Sequence, residues 1–356
     1  MKSPPLQEIA NKMNLIRQFK KYLIKGFLKF LRHEEVQEAL NDTIAHSKKN
    51  LNVPENQPSP YFQGSNNAAT TAERDDIVFI TSRFRSGSTV LWNIFRNIEG
   101  CTAYYEPFNE RRWFDKKARG EHVDSTHLGV DDYSKEYDEL EQLAEFYNED
   151  WIRSDLFMDA NTWDPKMKLY ICELIDKAKG RPILQFNRID FRLPWLKHHF
   201  PNAKFIHLYR HPRDQWYSFL TDKNLMSKNK VEHTYQDAFY LDVWCNDLAK
   251  HFPFLDKRNT PHPYQRFYYL WKLSYLYGIN ECDHSIAFEE LTYEPRKTLS
   301  LLFNELNIDD KHITSTLTTI KKPCLNKWEM YAENGWFKVM ECECELNLTD
   351  FTHMRV

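Results

Sequence analysis

The stretch Ile77-Val-Phe-Ile-Thr-Ser-Arg-Phe-Arg85-Ser-Gly87-Ser-Thr89-Val-Leu-Trp-Asn-Ile-Phe-Arg96-Asn-Ile98-Glu-Gly100 decides how this chain of 356 residues is read. Residues 77–81 form a short β-rich run of the length expected for a strand buried on both faces. A polar loop comes next. Leu91, Ile94, Phe95 and Ile98 then recur at i, i+3, i+4 and i+7, and Gly100 stands where a helix wants its C-terminal cap. Strand, short polar loop and helix in that order make an anion site, because a helix start offers unpaired N–H groups and a positive dipole end. Gly87 can take φ > 0 and let the backbone approach an oxygen closely. Ser88 and Thr89 add hydroxyl donors, and Arg85 adds a permanent planar charge. The loop is not of the G-x-x-x-x-G-K-[ST] form, since both the first glycine and the Gly-Lys pair are missing. The magnesium arrangement that accompanies that form is therefore not supported.

Outward from this unit, β-rich runs at 182–187, 204–209 and 285–288 alternate with helical patterns, which predicts an α/β fold with a central parallel sheet flanked by helices. The run 204–209 leads into Arg210-His-Pro-Arg-Asp-Gln-Trp-Tyr-Ser218. Pro212 suits a first helical position, which leaves Arg210 at the carboxyl end of a strand, where open α/β sheets bind ligands. A guanidinium fork joined by the Ser218 hydroxyl suits a dianionic phosphate.

The two loops together resemble the donor site of sulfotransferases that use 3′-phosphoadenosine 5′-phosphosulfate (PAPS). In that family a strand leads to Lys or Arg, Ser-Gly-(Ser/Thr)-Thr and a helix. A second strand then leads to Arg, with Pro two residues later and Ser eight residues later. The segment 287–306, Ala-Phe-Glu-Glu-Leu-Thr-Tyr-Glu-Pro through Phe-Asn-Glu-Leu, also matches a family pattern, and the resemblance covers roughly 77–330. It implies a P-loop-like three-layer fold. It also implies that Arg85 and the backbone of Ser86, Gly87, Ser88 and Thr89 hold the 5′-phosphosulfate, while Arg210 and Ser218 hold the 3′-phosphate. Lys321 and Lys322, before Trp328, resemble part of a basic closing loop whose glycines are missing here.

The family takes its base from a His in a Lys-x-His or from a Glu about twenty residues beyond the donor loop. Here 186–191 reads Phe-Asn-Arg-Ile-Asp-Phe, without His, while Glu106 in Cys101-Thr-Ala-Tyr-Tyr-Glu-Pro-Phe108 lies twenty-one residues beyond Arg85. The resemblance implies Glu106 as base, with its pKa raised among Tyr104, Tyr105 and Phe108. The alternative is a structural carboxylate paired with Arg111 or Arg112. Arg188 is a candidate assistant at the donor. Val90 stands where the family often has an adenine-stacking Trp, and Trp92 lies on a different helix face.

Composition narrows the classes. Only 9 glycines occur where average usage of roughly 7% would give about 25, so collagen-like and glycine-rich architectures are excluded. A net charge of −3 gives no sign of a nucleic-acid binder. The seven cysteines contain no C-x-x-C, only Cys342-x-Cys344, and they read as reduced thiols rather than a metal site. Of the fourteen histidines, the lone ones at His122, His127, His198, His199 and His207 show no metal spacing. The absence of a signal peptide and of an eighteen-residue apolar run predicts a soluble cytoplasmic protein.

Residues 1–50 carry ten Lys and Arg against five Asp and Glu. Between 11 and 33, Leu15, Phe19, Leu23, Phe27 and Phe30 recur at helical spacing, which predicts a basic amphipathic helix that can meet an anionic membrane surface, a partner, a second subunit or its own domain. Residues 51–76 read as a linker, 77–340 as the catalytic domain and 341–356 as a tail. Within the domain, 121–160 carries thirteen acidic and two basic residues. It is either an insertion that favours a neutral or cationic acceptor or a solvated acidic helix over 134–150. The expected activity is PAPS-dependent sulfuryl transfer, without a metal, to a hydroxyl or amine of a small-molecule acceptor. The alternatives are a carbohydrate or tyrosylprotein sulfotransferase, a P-loop kinase-like enzyme, and a non-catalytic nucleotide-binding module.

Overall fold

The computed structural model describes residues 70–353, together with Lys20, Leu23, Gly26, Phe27, Phe30 and Val36. The chain divides into two compact units, Met1–Ser59 and Pro60–Val356. In the first unit the six described positions are helical, and Leu23, Phe27 and Phe30 are exposed. The rest of the predicted basic helix over 11–33, and its expected membrane or self-association role, lies outside the described residues. So does most of the predicted linker. Its last residues are packed: Thr71 and Ala72 are buried, and the Thr71 hydroxyl bonds to Asp176.

The second unit is built on five parallel strands, β1 (Val78–Ser82), β2 (Cys101–Tyr105), β3 (Arg181–Phe186), β4 (Lys204–Tyr209) and β5 (His284–Ala287), in the order β2-β3-β1-β4-β5. Every residue of β1 is buried, so helices must cover both faces of the sheet's centre. The helices in chain order are α1 (Ser88–Arg96), α2 (Pro165–Lys177), α3 (Leu193–His199), α4 (Pro212–Phe219), α5 (Val231–Thr234) and α6 (Leu241–Leu248). They continue as α7 (Pro263–Glu281), α8 (Phe288–Tyr293), α9 (Pro295–Glu305), α10 (Lys311–Thr316) and α11 (Asn334–His353). This is the expected α/β class, with a central parallel sheet between helices. β1 pairs with β3 on one side and β4 on the other, and the strand order reverses there. In such sheets the crevice beyond the strands' carboxyl ends receives ligands.

Three differences from the sequence reading have local causes. β2 has no counterpart among the predicted strands; its five residues begin right after Gly100, at φ +84, and pair only with β3 at the sheet edge. The predicted acidic helix over 134–150 is instead a series of short 3-10 turns, Lys135–Tyr137, Glu141–Glu145 and Glu149–Ile152. Asp132 accepts from the Ser134 and Lys135 amides, and Glu139 sits at φ +67, so no continuous helix can run through. The predicted boundary at 340 falls inside α11. That helix packs on α7 through Tyr264 to Glu341 (2.6 Å), Tyr268 to Glu345 (2.6 Å) and buried Cys344, while Cys342 faces solvent.

Candidate functional site

The loop after β1 is wound tightly before α1 begins. The Ser86 hydroxyl and amide both donate to the Arg83 carbonyl, at 2.6 and 3.3 Å. Arg85 takes φ +65 and Gly87 φ +95. The first helical bond runs from the Val90 amide to the Gly87 carbonyl (3.0 Å), leaving the amides of Gly87, Ser88 and Thr89 ahead of it as donors of the helix start. A Cβ on Gly87 would run into the ring of Phe288, so close packing requires glycine as well as the positive φ does. Gly87, Ser88 and Thr89 line a cavity of about 420 Å³; Ser86 is fully buried and does not reach its wall.

The loop after β4 is latched to the first. Arg85 Nε donates to Ser218 Oγ (3.1 Å), and Arg210 Nη1 donates to the Arg85 carbonyl (3.1 Å). Gln215 donates to the Phe84 carbonyl at 2.8 Å. Arg210 lies over the Phe288 ring, 5.0 Å from its centroid, and burial lowers its guanidinium pKa. Its Nε is buried without a hydrogen-bond partner among the described residues. Arg85, Arg210 and Ser218 all line the same cavity, so two motifs more than 120 residues apart in sequence meet at one site.

Glu106 comes just after β2 at φ +40 and is 4% exposed. Asn109 Nδ2 donates to its Oε2 (2.6 Å), Asn187 Nδ2 donates to its Oε1, and Arg188 Nη1 stands 3.6 Å from Oε2. Burial raises its pKa, while Arg188 and the Asn109 hydrogen bond pull it back. The pairing is with Arg188 rather than Arg111 or Arg112. Asn187 cannot turn over, because its Oδ1 accepts from Gln185 Nε2 (2.9 Å) and Ser82 Oγ (3.1 Å). A fixed carboxylate of raised pKa on a cavity wall can accept a proton from a bound hydroxyl or amine.

Arg188 itself does not reach the cavity. It is buried behind Glu106, bridging to Glu110 (3.1 Å) and lying over the rings of Phe84, Tyr240 and Trp244. Lys321 and Lys322 are exposed and are not on the cavity wall either. The backbone a few residues beyond them does reach the second motif: Asp214 on α4 accepts from the amides of Asn326 (2.9 Å) and Trp328 (3.3 Å). Trp92 is core, its Nε1 bonded to the Ala103 carbonyl at 2.8 Å.

Several residues of the wall carry no functional role from sequence. Asn109, Glu110, Arg111 (read only as a possible partner of Glu106) and Trp113 follow soon after Glu106, and Asn187 stands just past β3, a place that strand-end reasoning could have marked. His122, Asp124, Thr126, His127 and Tyr133 arrive from the acidic segment. Asp124 stands 3.7 Å from Arg85. His127 Nε2 meets Thr89 Oγ1 at 3.3 Å, and Thr89 Oγ1 meets the Tyr105 hydroxyl at 3.0 Å. Burial lowers the His127 pKa. Among the described residues no group of three or more His, Cys, Asp or Glu is placed to hold a metal ion. No helix among them is long and apolar enough to cross a membrane.

Comparison with known proteins adds to this geometry. No curated protein matches the chain significantly. Among solved structures it is similar to the sulfotransferase domain from the curacin biosynthetic pathway, at 17% identity and TM-score 0.35, over 68% of this chain and 78% of that one. It is similar to the sulfotransferase domain of the Synechococcus PCC 7002 olefin synthase, at 18% identity and TM-score 0.37, over 77% and 94%. It is also similar to sulfotransferase STF9 from Mycobacterium avium, at 11% identity and TM-score 0.44, over 81% and 79%. The model of the sulfotransferase family matches residues 77–311, which takes in all five strands and both latched loops. On that match, the chain belongs to the sulfotransferase family.

Proposed function

We propose that the protein transfers a sulfuryl group from PAPS to a hydroxyl or amine of a small-molecule acceptor, with Glu106 as the base. The observation that carries this reading is the meeting of the helix-start amides, Arg85, Arg210 and Glu106 in one cavity. The residues present fit the donor. Arg210 has a buried, unpartnered Nε and sits near Ser218 through Arg85, a setting for the 3′-phosphate. Arg85 and the amides of Gly87, Ser88 and Thr89 suit the 5′-phosphosulfate. The Ser86 amide is committed to Arg83 and plays a holding role.

The donor supplies an activated sulfuryl group. The acceptor oxygen or nitrogen forms the new bond to sulfur as the bond from sulfur to the 5′-phosphate oxygen breaks. Glu106 takes the acceptor's proton, and Arg85 with the helix-start amides stabilises the charge that builds on the leaving phosphate. Arg188 positions Glu106 and favours its ionised form. Calorimetry with 3′-phosphoadenosine 5′-phosphate (PAP) tests the donor reading. Wild type is expected to bind, and Arg210→Ala to bind roughly 10–150-fold more weakly, the factor of a charge-assisted hydrogen bond. Equal affinity, or no heat with wild type, overturns it. A reaction that instead turns over a nucleoside triphosphate only with magnesium would place the chain with the kinase-like enzymes.

The pH dependence has a defined sign. Glu106 works as a base only when ionised, so activity rises with pH through its raised pKa. Arg188→Met removes the charge that lowers that pKa. The acid limb of kcat/KM is expected to move to higher pH. An unmoved limb would show that Arg188 does not act through Glu106.

A further inference from the structure

The thirteen acids of 121–160 argue from sequence for a neutral or cationic acceptor, but in the structure twelve of them stay off the cavity wall, and several of those pair with cations. Asp132 and Glu136 hold Arg96, Asp138 holds Arg119, Glu141 holds Lys116 and Glu149 holds Arg153. Of the thirteen, Asp124 is the one that lines the cavity. Each carboxylate on the cavity wall already faces a guanidinium: Glu106 and Glu110 share Arg188, and Asp124 faces Arg85.

The cavity's arginines are not equally engaged. Arg111 faces no carboxylate among the described residues. Its Nη1 donates to the His122 carbonyl (2.8 Å), and the guanidinium lies over the Trp113 ring, 5.6 Å from its centroid. Trp113 adds a second observation. It is 4% exposed, it lines the same cavity, and its Nε1 has no hydrogen-bond partner among the described residues. A buried donor without a partner asks for a ligand atom. A guanidinium with open donors beside an unpaired indole N–H is a setting for an oxyanion. The Arg111 backbone is tied to the proposed base, because Asn109 donates from Nδ2 to Glu106 (2.6 Å) and accepts the Arg111 amide on Oδ1 (2.9 Å).

We propose that Arg111, with Trp113 beside it, anchors an anionic group of the acceptor, so that the substrate is a small hydroxylated or aminated carboxylate, phosphate or sulfate. This rests on the reading of Glu106 as the base, which the acceptor's hydroxyl or amine meets while its anionic end meets Arg111. The charge of the acceptor is thus set by the one cavity arginine, among the described residues, with no carboxylate opposite and no place in the donor site.

Three phenols of one skeleton test it: 4-hydroxyphenylacetate (anionic), 4-(2-hydroxyethyl)phenol (neutral) and tyramine (cationic). Each is titrated by calorimetry into the full chain with PAP present and with PAP absent, and turnover is measured with labelled donor. Wild type is expected to bind the acid at least about tenfold more tightly than the neutral phenol, and tyramine most weakly. Arg111→Gln is expected to collapse the acid-to-neutral ratio towards one, and Arg111→Lys to restore part of it. Equal affinities, a preference for tyramine, no heat with the acid, or an unchanged ratio in Arg111→Gln each overturns the proposal. Failure of the donor reading shows separately, as absent PAP binding, and the titrations without PAP still read out Arg111.

Discussion

Glu106→Gln is expected to lower kcat for sulfuryl transfer by about 10²–10⁴, the range contributed by a positioned general base. PAP binding is expected to survive, since the helix-start amides and Arg210 are untouched. The substitution is not the conservative one it resembles. Both carboxylate oxygens of Glu106 accept from amide donors, Asn109 on Oε2 and Asn187 on Oε1. Neither asparagine can reverse its amide, because Asn109 Oδ1 is held by the Arg111 amide and Asn187 Oδ1 by Gln185 and Ser82. A glutamine offers one oxygen and one NH₂, so one N–H₂ must face another. The conflict costs about 1–3 kcal/mol of stability, the penalty of an unsatisfied buried polar group. Single-turnover rates, PAP calorimetry and thermal unfolding separate the three effects. A rate within tenfold of wild type would remove Glu106 from the role of base.

Gly87→Val is expected to abolish measurable PAP binding, a loss of more than roughly 100-fold, because the strain at this site exceeds about 3 kcal/mol. Two causes act together. Gly87 sits at φ +95, which a β-branched residue strongly resists, and its missing Cβ leaves room for the Phe288 ring. Relief of either strain moves the amides that open α1. The two causes can be told apart with Phe288→Ala: Gly87→Ala/Phe288→Ala removes the clash and keeps the backbone penalty. If backbone geometry decides, binding stays weak in the double variant. Tight PAP binding by Gly87→Val would mean that the loop does not hold the phosphosulfate.

Much of the fold, and the two loops that meet at the cavity, is legible in the sequence because local periodicity and loop chemistry agree. The apolar run at 77–81, the stripe from Leu91 to Ile98 and the Arg210–Ser218 spacing each name an element and its ligand-facing end, and the structure brings both loops to one cavity. The resemblance to the sulfotransferase pattern singles out Glu106 by its place after Arg85, and Glu106 does line that cavity. What escapes depends on contacts between distant segments. Nothing around Asn187 announces that its amide will be locked by Ser82 and Gln185 against Glu106. Arg188 reads as a candidate assistant at the donor, but its side chain is buried behind Glu106 between two carboxylates. Counting acids in 121–160 misleads for the same reason: charge acts where side chains end up, and Arg96 alone draws off two of them.

The latch between the two loops has a consequence for how the protein matures. Arg85 meets Ser218 across 133 residues of chain and Arg210 across 125. A cavity closed by such distant partners cannot exist while the chain is still being synthesised through α4, nor in any folding intermediate in which β4 has not joined β1. A donor bound as proposed would therefore give no help to early folding. It would act on the finished molecule, slowing opening of the sheet's centre and leaving the rate of its assembly unchanged.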